Sequence, residues 1–227
     1  MLELKNTSVM NLENAIRGAR NPMNSWARSD SAYAENGNYI SWARSDSAYD
    51  ENGNYILGEN DLSLAMRLCK SGSDHRKFIR QIFVSVDILA PLYWWKEFDT
   101  YKVGTVANST STMHKIQAKA FAREDFSCDH MTDTALAALD TLIAVLEDRR
   151  QKFLETKDKT YWYDMIQLLP SSYQQLRTVT LNYEVLVNIY YARRNHKLDE
   201  WHALCAWIET LPYAKEMILS IENKENI

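Results

Sequence analysis

The hydrophobic pattern changes period along the chain, and each period predicts an element. Ile82, Val84, Val86 and Ile88 alternate with Phe83, Ser85 and Asp87, so the stretch from Phe78 to Ile88 predicts a half-buried strand. Pro91 ends it, and LYWWKEFDTYK reads as a short helix. Leu136, Leu139, Leu142, Ile143 and Leu146 share one stripe at helical spacing, predicting a long helix over 131–155. Shorter helices are predicted over 10–19, 59–72 with a stop at Gly72, about 160–168 before Pro170, YEVLVNIYYARR and DEWHALCAWIETL. RTVTLN reads as a second strand, GTVANSTSTMHK (104–115) as a loop leading into a helix, and ENKENI as a frayed end. A few strands among many helices predict one α+β domain over residues 1–227.

One tandem repeat interrupts this pattern. Residues 25–40 read SWARSDSAYAENGNYI and residues 41–56 read SWARSDSAYDENGNYI, differing only at Ala34 and Asp50. Two copies are too few, and 16 residues too short, for a solenoid. The Asn-Gly in each copy is a hairpin signal. One copy suffices for the original register, so the other is expected to be a loop insertion outside the core.

Composition narrows the class. The chain has 227 residues, of which 46% are hydrophobic and 25% charged, with a net charge of −4. That charge lacks the broad basic footprint of a nucleic-acid binder. Cys69, Cys128 and Cys205 lie far apart without metal-ligand spacing, which predicts neither a disulfide framework nor a metal site. No apolar run is long enough for a signal peptide or a membrane span, so a cytoplasmic protein without a membrane partner is expected. The 13 Tyr, 7 Trp and 6 Phe are numerous for this length and suit packed cores and subunit interfaces.

Candidate chemistry is sparse when each feature is taken alone. There is no phosphate-binding loop, GxGxxG or nucleophile elbow. His75 by itself reads as a structural histidine before a strand. NSTSTMH (108–114) reads as turns and caps. Arg193, Arg194, His196 and Lys197 read as cations complementing a helix C-terminus.

Their joint spacing carries more. LLPSSYQQLRTVTLNYEVLVNIYYARR resembles the Leu-Pro, strand, Asn-x-Arg and helix-to-Leu-Arg segment of the flavin-dependent thymidylate synthases, with Pro170 and Asn182 at that family's separation. Asn182 and Asn188 fall on two flavin-contacting asparagines, Arg193 on the arginine that holds dUMP, and His75 on the flavin-site histidine. GARNP is similar to the family's early Ala-Arg segment. The resemblance departs at the Arg-His-Arg motif, where this chain has Tyr101-Lys102-Val103. Asn108 and Ser111 of the next motif are kept. Ile166 and Glu184 stand where the family has arginines.

The resemblance implies a helix-rich α+β domain around a small, mainly antiparallel sheet. It implies FAD-dependent C5 methylation of dUMP, with reduced nicotinamide (NADPH) and methylene-tetrahydrofolate as co-substrates, in a homotetramer. Arg193 is then the catalytic residue. His75, Asn182, Asn188 and Lys102 bind the cofactor, and Ser109, Ser111, Arg177 and Arg193 bind the nucleotide. Two alternatives stay open: a related flavin and folate enzyme acting on another pyrimidine, for example by hydroxymethylation, and a non-catalytic nucleotide- or flavin-binding relative.

Overall fold

The structure is a computed structural model that describes residues 2–31 and 55–221. Most of the repeat, including both Asn-Gly hairpin signals, lies outside the described residues, as does ENKENI. The elements run β1 (Glu3–Met10), α1 (Leu12–Arg20), α2 (Glu59–Lys70), β2 (Phe83–Pro91), α3 (Leu92–Phe98), β3 (Thr105–Ser109), α4 (Asp133–Thr156), α5 (Lys159–Leu168), β4 (Gln174–Asn182), α6 (Tyr183–Arg193) and α7 (Asp199–Glu209). Among the described residues the strands form one four-stranded sheet in the order β1-β2-β4-β3. The Oγ of Ser85 meets the Oγ1 of Thr180, and two residues further along β2 Asp87 accepts from Thr178. Stepping forward on β2 therefore steps back on β4, which is antiparallel pairing. The expected α+β class, helix-rich around a small antiparallel sheet, is what the chain adopts.

Contacts divide the described chain into two compact units, and the division falls within β2 and β4. The first unit takes residues up to Lys5, Asp87–Lys102 and Ala107–Val179. Its core is built by α4, α5 and the segment before them: Ile116, Phe121, Phe126, Leu139, Leu146 and Met165 are buried together. The α4 stripe faces this core, with Leu139 and Leu146 buried and Leu136, Leu142 and Ile143 half-buried. Lys157, in the left-handed conformation, ends α4, and the Asp158 carboxylate caps α5 by accepting from the Thr160 N–H at 2.9 Å. Trp94, Trp95 and Phe98 of α3 pack ring against ring, with centroids 4.9 to 5.3 Å apart.

The second unit takes Asn6–Val86, Val103–Val106 and Thr180–Ile221 among the described residues. Here α6 packs against α7, and α1 against the short 3-10 segment Arg76–Gln81. The alternation into and along β2 is realised: Ile82, just before the strand, and Val84, Val86 and Ile88 are at most 1% exposed, while Phe83 is 39% exposed.

Two expectations need correction, and one strand lies where the sequence predicted none. Residues 76–81, partly assigned to the strand, wind into a 3-10 turn because Phe78 and Ile79 are adjacent and both buried, which a period of two cannot achieve. The loop over 104–115 contains β3, whose side chains are mostly exposed; the Thr110 N–H just beyond it donates to the Leu176 carbonyl beside it. No helix start follows, since Ser111 closes a turn instead. Finally, β1 has no apolar alternation and is held at a sheet edge by backbone pairing.

Candidate functional site

The residues singled out by sequence divide between the two units. Lys102, Ser109, Ser111 and Arg177 lie in the first; His75, Asn182, Asn188 and Arg193 lie in the second.

In the first unit Arg177 is the best-positioned charge. It lies on β4 with its guanidinium over the Trp95 ring, 4.2 Å from the centroid. Its Nη1 pairs with Asp99 at 2.8 Å and its Nε donates to the Gln175 Oε1 at 3.0 Å. Gln175 is itself fixed, donating to the Thr110 carbonyl at 2.7 Å and accepting at its backbone oxygen from the Trp95 indole N–H at 3.0 Å. Arg177 thus sits in a frame in which its Nη1 and Nε are already engaged and its charge is partly offset by Asp99. The Ser111 Oγ accepts from the His114 N–H at 2.9 Å and the Met113 N–H at 3.3 Å, so its first task is to close a turn. Lys102 and Ser109 are exposed.

In the second unit Asn182 links strand to helix. It is the N-cap of α6: its Oδ1 accepts from the Val185 N–H at 3.1 Å, and its side chain is 9% exposed. Gly104 makes room for it. The Gly104 φ is +80°, and a Cβ there would stand 2.9 Å from the Asn182 Nδ2. Asn188, on the same helix, is exposed and has no part in the cap. Arg193 ends α6 with its guanidinium over the buried Trp201, 4.6 Å from the centroid. Arg194 stands over Tyr191 instead, at 4.9 Å. His196 also meets Trp201 edge-on, and its Nδ1 accepts from the Leu198 N–H at 3.2 Å.

His75 is exposed at the head of the 3-10 turn. The next residue, Arg76, grips Glu184 on α6: Nε lies 3.1 and 3.0 Å from the two carboxylate oxygens, and Nη2 lies 2.9 Å from Oε1. Sequence reasoning missed this pair, although a signal was present. An acid stood where the resemblance asks for a cation, and a basic run, His75-Arg76-Lys77, lay elsewhere in the chain. It likewise missed Trp95, Asp99 and Trp201, which hold the two candidate arginines.

The thiols offer no nucleophile in this unit. Burial, with the nearby Glu184 adding to it against Arg76, pushes the Cys69 thiol up to about 12. Burial and Glu209 push Cys205 up to about 11. Among the described residues no cluster of His, Cys, Asp or Glu could hold a metal ion. The exposed His75, Asn188, Lys77 and Arg80 carry imidazole, carboxamide and cationic groups, donor types that flavin ring heteroatoms and phosphates accept.

No protein-family model matches the chain, and no curated protein sequence matches it. Solved structures do. A flavin-dependent thymidylate synthase ThyX from Helicobacter pylori, complexed with FAD and dUMP, matches at 16% identity and a TM-score of 0.64, covering 97% of this chain and 100% of that one. A second structure of that enzyme with FAD and dUMP matches at 15% identity and 0.64, covering 96% and 97%. A UMP/dUMP methylase PolB from Streptomyces cacaoi, bound with 5-Br dUMP, matches at 15% identity and 0.58, covering 97% and 95%. With both lengths covered almost end to end, the chain has the fold of the flavin-dependent thymidylate synthases.

Proposed function

We propose that this protein is a flavin-dependent enzyme that modifies a pyrimidine nucleotide, with reductive C5 methylation of dUMP as its reaction. The observation that carries the reading is the end-to-end likeness to structures holding FAD with dUMP, or 5-Br dUMP, together with Asn182, Asn188 and Arg193 at the expected spacing. FAD, when bound, supplies hydride chemistry, with methylene-tetrahydrofolate as carbon donor and NADPH as reductant. His75, Lys102, Asn182 and Asn188 would hold the flavin. Ser109, Ser111 and Arg177 would hold the nucleotide, Arg177 through the Nη2 that neither Asp99 nor Gln175 engages. Arg193 would stabilise negative charge on the pyrimidine ring, with Trp201 fixing the plane of its guanidinium. No enzyme nucleophile is needed, which agrees with the protonated Cys69 and Cys205. The proposal includes a homotetramer in the cytoplasm; among the described residues no helix is long and apolar enough to cross a membrane.

The Arg76–Glu184 pair and the Tyr101-Lys102-Val103 sequence favour a second reading, in which the flavin and folate chemistry acts on another pyrimidine or the site binds without turnover. Purified protein carrying a flavin absorbance spectrum and converting dUMP to dTMP with NADPH and methylene-tetrahydrofolate establishes the first reading. A hydroxymethyl product, or flavin without turnover, selects between the others. Arg193→Ala should weaken dUMP binding by about 1.5–3 kcal/mol with flavin retained, and Arg194→Ala should not. Equal effects would remove Arg193 from the site.

A further inference from the structure

We infer that Arg76 is a positioning residue, which locks the His75 turn to the first turn of α6 and so fixes where His75 and Asn188 present their polar groups. The inference rests on the proposed flavin reading and concerns residues within the second unit alone.

Three observations carry it. The Arg76–Gln81 turn has only six residues, and a 3-10 turn of that length has little stability of its own. Phe78 and Ile79 anchor it by burial, but His75 lies outside that anchor and is exposed. Arg76 is the adjoining residue, and its fork on Glu184 ties it to a different element.

The tie also grips the face of α6 that carries Asn188. Tyr183, Val185, Leu186, Val187 and Ile189 are buried, whereas Glu184 is half-buried and Asn188, four residues on, is exposed. Residues four apart on a helix are neighbours on one face, so Glu184 and Asn188 share the polar side of α6. The two-pronged bond to Glu184 therefore holds that side one turn before Asn188, and the Asn182 cap holds the start of the helix.

The energetics agree. The two side chains are 15% and 13% exposed. Two charges held that far from water gain little net stability from each other, because desolvation offsets their attraction. What a fork of three N–H···O contacts does supply is orientation.

The test uses the full chain, with Arg76→Met and Arg76→Lys. FAD titration followed by flavin fluorescence should give a Kd raised roughly tenfold or more for Arg76→Met, with Arg76→Lys in between, since a lysine keeps the charge but not the fork. Hydrogen exchange, measured without flavin, should show faster exchange of the Val185 and Leu186 amides in Arg76→Met while helices of the first unit such as α4 are unchanged. Unaltered exchange at Val185 and Leu186 would overturn the inference, as would unaltered FAD affinity in a variant whose exchange has changed. If Arg76→Met does not fold, Arg76→Lys decides on the same two readouts. A wild-type chain that binds no FAD would instead overturn the flavin reading, and the exchange measurement would still decide whether Arg76 fixes α6.

Discussion

The Arg20 Nε and the Asp61 Oδ1 stand 2.5 Å apart, with the two side chains 4% and 0% exposed. This pair organises the entry to α2. The other Asp61 oxygen accepts from the Ser29 and Ser31 hydroxyls and from the Asp30 and Ser31 N–H groups, while the Asp30 carboxylate caps α2 through the Asn60 and Asp61 N–H groups. Gly58 is required there, since a Cβ would fall 2.2 Å from the Asp30 Cγ. Burial pushes the Asp61 carboxyl up, but the Ser31 and Ser29 hydroxyls and Arg20 outweigh it and hold the carboxyl below its ordinary 3.8. A carboxyl depressed in the folded state adds stability above its unfolded value and loses it as pH falls through the folded one.

Asp61→Asn should therefore destabilise strongly, by about 3–5 kcal/mol, because it strands the Arg20 guanidinium in the interior. Arg20→Met combined with Asp61→Leu should cost less than Asp61→Asn alone. Denaturant melts at pH 7 check both. A mild Asp61→Asn would mean that the cluster opens to water.

The repeat is anchored at its two ends by different copies. Ser29, Asp30 and Ser31 of the first copy bind α2, and the second copy leads through Tyr55 and Ile56 to Leu57, whose N–H donates to the Tyr213 hydroxyl at 2.8 Å. Deleting residues 41–56 regenerates both ends, since Tyr39 and Ile40 then precede Leu57. Shortening the connection by one period changes closure entropy by only about 1 kcal/mol, in favour of the folded state. The melting midpoint and the oligomeric state by light scattering should be retained; a large loss of melting temperature would show that both copies are integrated.

The two asparagines of the α6 segment differ in their structural duty. Asn182→Ala removes the N-cap as well as a proposed flavin contact, so it should cost about 1 kcal/mol of stability and also weaken FAD binding. Asn188→Ala, at an exposed position, should leave stability unchanged but weaken FAD binding by about 1–3 kcal/mol if its carboxamide meets the flavin. Paired melts and flavin titrations distinguish the two, and unchanged flavin affinity in Asn188→Ala would count against the site.

Thiol chemistry gives an independent check of burial. Cys69 and Cys205 should resist a thiol reagent in the folded protein at pH 8, whereas the half-buried Cys128 should react first. All three should react after unfolding. An unfolded thiol loses its proton near 9, and the folded Cys69 and Cys205 lose theirs at about 12 and 11. Stability should therefore fall as pH rises above 9, the opposite direction to the Asp61 effect. Rapid labelling of Cys69 at pH 8 would contradict its burial.

Elements whose pattern is local are legible in the residues alone. Period-two alternation through Val84, Val86 and Ile88 identified β2, and the Leu139–Leu146 spacing identified α4. The ordered set of Pro170, Asn182, Asn188 and Arg193 pointed to the fold, because spacing within one strand and the helix after it survives when other motifs change. The remainder emerges only once the chain has folded back on itself. The β1 and β3 strands exist through pairing with neighbours, and their own residues carry no apolar rhythm to announce it. The Arg76–Glu184 tie, the seat of Arg177 on Trp95 and the seat of Arg193 on Trp201 join residues 108, 82 and 8 positions apart. A side-chain bond across such separations depends on where the chain returns in space, and no periodicity within a segment encodes that.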